Sequence, residues 1–394
     1  MSPQAPPSGA RRPRVLMLVN VSWFFVSHRL PVALRAMESG FDFHVATRLL
    51  PESDGPALRA LGIGVHAMPF ARGGANLAAD MRSVIAIAAI YRRLRPDLVH
   101  LVTLKVIILG GLIARVLRVP GVVAAVPGLG YAFVATGPWA EVRRSAVRTL
   151  LRLALRHDRC AVIFQNPEDR EYLVRAGVVD RAQTALIRGA GVDMTRFIPA
   201  PASAGRVRIV LASRMLREKG IPVFVQAART LREQGLPADF LLAGDPDPDN
   251  PGSLSREQLA RWHDEGHVAW LGHVSDMSEL LRSTHVVCLP THYGEGVPKV
   301  LIEAAAAGRA IVATDVPGCR EIVQHEQSGL LVPPRDATAL AAALRRLVED
   351  RVLRERMGLA GRRLAEESFS TERVVAETLD LYRRLLSKGP VDGP

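Results

Sequence analysis

Residues 207–235, VRIVLASRMLREKGIPVFVQAARTLREQG, contain the pattern that decides the fold of this chain. They begin with the short apolar run Val207–Ala212, which is typical of a strand buried on both faces. A polar loop follows, and then Pro222–Gln234, whose proline near the start and Gly235 just past the end predict a helix. A buried strand followed by a loop and a helix is the repeating unit of parallel α/β sheets.

The same alternation runs through both halves of the 394 residues. Further strands are predicted at Val15–Asn20, Asp42–Ala46, Leu98–Val102, Val122–Val126, Ala161–Phe164, Phe240–Ala243, Val268–Leu271, Val286–Leu289 and Ala310–Thr314. Helices are predicted at Pro31–Ser39, around Leu77–Leu94, at Ile107–Leu117 and at about Thr371–Leu386. The length is that of two domains rather than one. We therefore expect an α/β protein with two doubly wound, Rossmann-like domains that face a cleft.

Composition changes along the chain predict the domain boundaries. Residues 1–13 are polar and rich in proline, so we expect a disordered tail. The first domain is predicted over residues 14–200 and the second over residues 201–370, joined near the Pro/Ala/Ser/Gly stretch Pro199–Gly205. The closing helix in residues 371–394 is predicted to return to the first domain and to be followed by a short tail.

Cysteine content predicts a reducing compartment, and hydropathy predicts a soluble protein. The three cysteines are far apart in the sequence, so they predict neither a disulfide framework nor a tetrahedral metal site. Prolines, glycines or basic residues interrupt every apolar stretch that approaches the length of a membrane span. These features predict a soluble protein of the cytoplasm.

The net charge of +12 lies entirely in the first half of the chain. Residues 1–200 contain 26 Lys and Arg against 13 Asp and Glu, whereas residues 201–394 contain 25 against 26. In the predicted helix within Trp139–Arg159, a basic stripe recurs every four residues beside an apolar one: Arg144, Arg148, Arg152 and Arg156. Such a helix fits an anionic membrane surface or, equally, a domain helix with one wet face.

Ligands of parallel sheets bind beyond the carboxyl ends of the strands, so the loops there are the candidate sites. After Val207–Ala212, Arg214 and Lys219 precede a helix N-terminus, which is a suitable arrangement for a diphosphate. After Val286–Leu289, Glu295 lies on the loop and Glu303 on the next helix, which Pro298 begins. These carboxylates suit the hydroxyls of a diol. The alternatives are a solvated basic loop and acids that only interact with the helix dipole.

These loops resemble the donor-binding half of glycosyltransferase family 4, which consists of retaining enzymes of the GT-B fold. The resemblance rests on Arg214 with Lys219-Gly220, Glu295-x7-Glu303, Pro317-Gly318-Cys319-Arg320-Glu321 and Ser328-Gly329-Leu330-Leu331-Val332-Pro333-Pro334. The first half resembles the branch that builds capsular and other lipid-linked polysaccharides. That likeness rests on Ser27-His28-Arg29-Leu30-Pro31, Pro96-Asp97-Leu98-Val99-His100 and Pro127-Gly128-Leu129-Gly130-Tyr131-Ala132-Phe133.

The resemblance implies a role for each matching residue. Arg214 and Lys219 would neutralise the leaving diphosphate, and Glu295 would bind the sugar hydroxyls. Glu303 would hold the ribose diol, while the backbone of Gly296, Val297 and Pro298 would lie against the donor. Two fixed cations can stabilise the leaving group, so no cofactor and no divalent metal are expected.

The first half departs from the family pattern at two places. The loop after the first strand, where the family often has a glycine pair, is predicted to hold the bulky Trp23 and Phe24. Pro127 replaces the histidine that usually precedes Gly-Leu-Gly in the polysaccharide branch. His28 and His100 lie near strand ends and are candidates to face the cleft, although a lone histidine is more often structural.

Two metal-like patterns are assigned to ordinary structure. Asp245, Asp247 and Asp249 alternate with prolines and are predicted to form a solvated turn. His263, His267 and His273 have zinc-like spacing, but no cysteine or acid completes a ligand set.

The resulting expectation is a hexosyl- or N-acetylhexosaminyltransferase of cell-surface polysaccharide synthesis. It would move a sugar from a nucleotide-diphosphate sugar, preferably a UDP-sugar, to a polyprenyl-diphosphate-linked acceptor, in the cytoplasm or on the inner face of the membrane. The alternatives are a nucleotide-sugar 2-epimerase of the same fold and a basic nucleic-acid-binding protein. No nucleic-acid motif supports the latter, and aromatic residues are only 5% of the chain.

Overall fold

The computed structural model describes residues 11–70, 77–130, 138–200, 205–292 and 294–387. The chain divides into two compact units, Met1–Ala190 with Glu372–Pro394 and then Gly191–Thr371. The predicted first boundary, at residues 200 and 201, is wrong by ten residues. Val192 and Phe197 are buried in the core of the second unit, and the Val192 N–H donates to the Phe369 carbonyl at 2.9 Å. These contacts hold residues 191–200 in the second unit.

The ends of the chain differ in part from the predicted tails. Arg11 forms an ion pair with Asp97 at 2.7 Å, and the Pro13 carbonyl accepts from the Asp42 N–H at 3.0 Å. Residues 11–13 are therefore tied to the first unit, so the prediction of a disordered tail fails for them. Residues 1–10 and 388–394 lie outside the described residues.

The first unit contains a seven-stranded parallel sheet in the order β3-β2-β1-β4-β5-β6-β7. Its strands are β1 (Arg14–Val21), β2 (Asp42–Arg48), β3 (Gly64–Ala67), β4 (Leu98–Val102), β5 (Gly121–Val126), β6 (Cys160–Phe164) and β7 (Thr184–Leu186). Its helices in chain order are α1 (Ser22–His28), α2 (Leu30–Glu38), α3 (Asp54–Ala60), α4 (Leu77–Leu94), α5 (Leu104–Val116), α6 (Pro138–Leu155) and α7 (Pro167–Arg175). The inner strands β4, β5 and β6 are buried at every residue, as their continuous apolar sequences predict.

The second unit contains a six-stranded parallel sheet in the order β10-β9-β8-β11-β12-β13. Its strands are β8 (Val207–Ala212), β9 (Ala238–Ala243), β10 (Ala269–Trp270), β11 (Val286–Leu289), β12 (Ala310–Thr314) and β13 (Gly329–Val332). Its helices are α8 (Ile221–Glu233), α9 (Arg256–Asp264), α10 (Met277–Arg282), α11 (Lys299–Ala306), α12 (Pro317–Arg320), α13 (Ala337–Glu349) and α14 (Arg351–Ser368).

The closing helix α15 (Thr371–Ser387) packs in the first unit. Val374, Leu379 and Tyr382 join the apolar core on the face of the first sheet that α1 and α2 also cover. Helices α4, α5 and α6 cover the opposite face, where they share a second core with Leu101 and Ala124. Both faces of this sheet are thus buried by helices, which confirms the predicted doubly wound α/β class.

The strand order reverses between β1 and β4 in the first sheet and between β8 and β11 in the second. At such a point the loops beyond the carboxyl ends leave in opposite directions and open a crevice. The predicted donor loops follow β8 and β11, so they border this crevice in the second sheet.

The segment predicted as a loop after the first strand is a helix. Trp23 and Phe24 lie in α1, which begins directly after β1. Phe25 is buried in the core beside α2, and the Ser22 hydroxyl accepts from the Leu50 N–H at 2.8 Å. These two attachments stabilise the helix. Among the described residues, no helix combines the length and apolar character needed to cross a membrane.

Candidate active site

The loop after β8 places the two predicted cations. Arg214 Nη1 lies 2.6 Å from Asp247 Oδ2. Lys219 closes a 3-10 turn ahead of α8, and its Nζ lies 2.6 Å from Glu295 Oε2. Each cation is therefore held by a carboxylate from a different loop of the same crevice.

Gly220 brings the loops after β8 and β11 together. Its φ of +77° lies in the left-handed region, and a Cβ there would be only 1.9 Å from the Pro290 carbonyl oxygen. No other residue fits both the backbone conformation and this contact. The close approach explains why Lys219 reaches the acid of the neighbouring loop.

The Lys219–Glu295 pair is largely removed from water. The two side chains are 16% and 13% exposed. Thr291 Oγ1 donates to Glu295 Oε1 at 2.9 Å, so both carboxylate oxygens are engaged. A paired, desolvated ammonium in fixed position can exchange its partner for another anion with little reorganisation.

The loop that carries Glu295 continues into α11. Pro298 is the residue that caps α11 rather than its first residue, so that prediction is wrong by one position. A Cβ on Gly318 would lie 1.4 Å from the Gly296 carbonyl oxygen, which shows how tightly α12 packs on residues 295–296. Gly296, Val297 and Pro298 are thereby fixed between two helices.

Glu303 lies in the middle of α11 and is buried. Burial raises the pKa of its carboxyl, and the ammonium of Lys299, 3.4 Å away, opposes that rise. The eight-residue step from Glu295 places one acid on the loop and the other on the helix, as the sequence predicts. Hydrogen bonds in such a largely buried place are stronger than hydrogen bonds made in water. The Glu303 carboxyl can therefore bind neutral hydroxyls well.

The prediction for Asp247 is wrong. We expected it in a solvated turn, but its side chain is only 7% exposed and binds Arg214. Its N–H also donates to Ser253 Oγ at 2.9 Å, which fixes the turn. Its position after β9, the strand next to β8, was the available signal.

The two histidine candidates of the first unit differ. His100 is fully buried in β4, so the expectation that it faces an open cleft is wrong. Its Nδ1 lies 2.6 Å from the Tyr382 hydroxyl, and burial lowers the pKa of His100 far below its ordinary value. His28 remains a candidate: it ends α1, stacks on Phe24 with ring centres 4.1 Å apart, and its Nδ1 is 2.6 Å from Ser27 Oγ.

Asp169 is a further polar group of the first unit, and it is not among the predicted site residues. It lies in the first turn of α7, after the carboxyl end of β6. Burial raises the pKa of Asp169 to about 6, against the effect of Asn166, whose Nδ2 donates to Oδ2 at 2.9 Å. The signal was Asn166-x-x-Asp169 after an apolar strand, a common start of a helix.

Most arginines of the predicted basic stripe on α6 interact with other groups of the first unit. Arg144 and Arg148 both pair with Glu141, at 3.4 and 2.9 Å. Arg152 donates to the Gly177 and Ala176 carbonyls, where α7 ends. Arg156 lies beyond the last residue of α6. The predicted row is therefore one residue shorter, and its three remaining arginines interact with other groups of the first unit.

Comparison with known proteins identifies the family. The model described as "Glycosyl transferase 4-like" matches residues 14–166, and the model "Glycosyl transferases group 1" matches residues 206–350. The chain belongs to glycosyltransferase family 4. This result confirms the predicted family and enzyme class.

Relatives of this glycosyltransferase include two that match most of its length. One is the N,N'-diacetylbacillosaminyl-diphospho-undecaprenol alpha-1,3-N-acetylgalactosaminyltransferase of Campylobacter jejuni, 28% identical over 84% of this chain and 88% of the relative. Another is the UDP-Gal:alpha-D-GlcNAc-diphosphoundecaprenol alpha-1,3-galactosyltransferase of Escherichia coli, 26% identical over 85% and 88%. Among solved structures, sucrose-phosphate synthase from Thermosynechococcus elongatus superimposes with a TM-score of 0.77 at 22% identity, covering 96% of this chain and 100% of that one. The structural likeness confirms the GT-B fold.

Proposed function

We propose that this glycosyltransferase moves a hexosyl or N-acetylhexosaminyl group, with retention, from a UDP-sugar to a polyprenyl-diphosphate-linked acceptor in cell-surface polysaccharide synthesis. The observation that carries the donor half of the proposal is the largely buried Lys219–Glu295 pair at the β8–β11 crevice. The acceptor half is supported by the two relatives, whose names specify diphospho-undecaprenol acceptors.

The leaving diphosphate is the group that needs stabilisation. When the bond from the anomeric carbon to the diphosphate oxygen breaks, that oxygen gains negative charge. In our proposal the Lys219 ammonium and the Arg214 guanidinium bind the diphosphate and stabilise this charge. The acceptor hydroxyl forms the new bond to the anomeric carbon, and its proton leaves to the diphosphate or to water.

The two acids of the motif bind the neutral parts of the donor. Glu295 is proposed to accept hydrogen bonds from the sugar hydroxyls as Lys219 turns to the diphosphate. Glu303 is proposed to hold the ribose diol, a role that suits its buried position on α11. The backbone of Gly296, Val297 and Pro298 would lie against the donor because α12 holds that loop in place.

The first half of the enzyme is proposed to take the acceptor. Its charge of +13 over residues 1–200 attracts the diphosphate of a lipid-linked substrate and an anionic membrane surface. We propose that the enzyme works at the inner face of the cytoplasmic membrane, where such an acceptor meets nucleotide sugars. His28, the last residue of the helix that follows β1, is retained as a candidate for contact with the acceptor.

Thermal stabilisation by nucleotides tests the donor site. The protein is heated with UDP, GDP, ADP, TDP or CMP, each with and without EDTA, and the melting temperature is recorded. We expect UDP to raise it most, and EDTA to leave the rise unchanged because two side-chain cations stand in for a divalent ion. The absence of a rise with every nucleotide, or its loss in EDTA, would contradict the proposed site. Release of UDP that depends on added polyprenyl-diphosphate sugar tests the acceptor.

A further inference from the structure

Two helices of the first unit expose apolar stripes to solvent. On α4, Leu77, Met81 and Ile85 are 80%, 51% and 66% exposed. At 100° per residue these three side chains fall within about 80° of the helix circumference. They form a stripe on the side of α4 away from the sheet. The buried residues of α4, which include Ile87 and Ile90, lie on its other side.

On α6, the exposed apolar residues are Trp139, Val142, Leu150 and Leu153, with Trp139 exposed by 84%. They also fall within about 80° of the helix circumference. The opposite side of α6 carries Leu151 and Leu155, which are buried in the core of the first unit. The outward stripe is therefore separate from the core.

Helix α5 lies between these two stripes. It packs against α4 on one side and against α6 on the other. Its residues Ile108 and Leu112 are half-buried, so α5 adds a smaller apolar area between the two stripes. Isolated exposed apolar residues are ordinary, but stripes of three and four exposed apolar residues on helices that cover one face of a sheet indicate a contact surface. We call the outer side of α4, α5 and α6 the outer face.

Charge selects the occupant of the outer face. Helices α4, α5 and α6 together contain nine Lys and Arg and only two Asp and Glu, a net charge of +7. A second copy of this chain would bring the same positive charge against it. An anionic lipid surface brings opposite charge together with an apolar interior.

The location fits a lipid-linked acceptor. Helices α4 and α6 follow β3 and β5, so their first turns, which carry Leu77 and Trp139, lie at the carboxyl edge of the sheet. This is the edge at which parallel sheets bind their ligands. A bilayer contacted here would deliver a lipid-linked diphosphate beside the binding edge.

We propose that the outer face is a membrane-docking surface, with the Trp139, Val142, Leu77, Met81 and Ile85 side chains inserted among anionic lipids. It replaces the arginine row expected from the sequence as the membrane contact. The proposal rests on the proposed function, because it is the lipid-linked acceptor that brings the enzyme to a bilayer.

Vesicle binding tests this surface without any acceptor. Full-length protein is sedimented at low salt with vesicles of phosphatidylglycerol and phosphatidylcholine, or of phosphatidylcholine alone. The test variant is Met81→Ser/Ile85→Ser/Val142→Ser. The matched control is Val352→Ser/Leu359→Ser, which changes two exposed apolar residues of α14 in the second unit. All five positions are exposed, so both variants should fold.

We expect the wild type and the control to bind anionic vesicles, and the triple variant to bind at least about tenfold more weakly. Brominated lipids should quench Trp139, the most exposed of the four tryptophans, and the Trp139→Phe variant should lose that quenching. Transfer to a water-soluble acceptor should be equal in all variants.

Equal vesicle binding by the triple variant, no preference for anionic lipid, or a concentration-dependent dimer that the triple variant abolishes would each overturn the proposal. Vesicle binding without transfer to any lipid-linked acceptor would leave this surface standing and refute the proposed function.

Discussion

Replacing Arg214 should damage the protein in two separable ways. Arg214→Ala removes a 2.6 Å hydrogen bond from Asp247, a carboxylate that is only 7% exposed. Hydrogen bonds to charged partners contribute about 1.5–3 kcal/mol of stability. For a unit of this size that corresponds to a fall in Tm of about 3–12 °C. Transfer should fall at least about a hundredfold, since a cation that stabilises the leaving group is lost.

A second substitution separates the two effects. Asp247→Asn added to Arg214→Ala removes the negative charge that the guanidinium had balanced, so Tm should recover part of the fall. Transfer should remain at least about a hundredfold low, because the diphosphate still lacks the guanidinium. Tm from thermal denaturation and the rate of UDP release are the two readouts.

A neighbouring pair supplies the control. Arg256 lies 3.3 Å from Asp245, but both side chains are more than a third exposed. Arg256→Ala should change stability by less than about 0.5 kcal/mol. If Arg214→Ala is as stable as this control, the Arg214–Asp247 pair has no structural role. If the double variant regains transfer, Arg214 acts through its neighbour and our assignment to the leaving group is refuted.

Three further substitutions test other parts of the site and fold. Lys219→Ala should lower transfer at least about a hundredfold in the UDP-release assay, and near-normal rates would exclude its leaving-group role. Gly220→Ala should cost more stability than Gly235→Ala, since the two have similar φ values of +77° and +75° but only the first would place a Cβ against backbone, at Pro290. Equal losses in denaturant titrations would show that Pro290 moves aside easily. Asp169→Asn tests a raised carboxyl pKa: wild-type stability should fall as pH rises from about 4 through about 6, by about 3 kcal/mol in all, while the variant lacks this fall. Parallel pH profiles of Tm would contradict it.

The fold was predictable because local pattern and global packing agree in this chain. Val207–Ala212, Val286–Leu289 and Ala310–Thr314 are strands with the predicted bounds, since each is a largely apolar run of the kind that a parallel sheet buries on both faces. The boundary between the units was not predictable in the same way. It depends on the packing of Val192 against Phe369, residues distant in sequence, whereas composition identified only the Pro/Ala/Ser/Gly stretch that follows.

The missed helix α1 has a similar cause. Bulky apolar residues after a strand were assigned to a loop because the family pattern has one there. The burial of Phe25 and the hydrogen bond of Ser22 with Leu50 favour a helix, and both involve parts of the chain that local sequence does not specify. The same limit applies to His100, whose partner Tyr382 lies 282 residues away.

The sequence motif identifies Arg214, Lys219 and Glu295, but only the structure shows which carboxylate pairs with each cation. Read one loop at a time, the sequence presents Arg214 and Lys219 as cations of one loop, and Asp247 and Glu295 as acids of two others. The fold brings them together as two pairs, one of them nearly buried. The free energy needed to remove these charges from water is therefore offset during folding by the attraction within each pair. An arriving diphosphate then exchanges one anion for another at a fixed cation, and a released Glu295 is left beside the sugar hydroxyls it is proposed to bind. Arg214, Lys219 and Glu295 thus serve in the pairs before the donor arrives and in the proposed mechanism after it binds, which is why the pairs belong to that mechanism and not only to stability.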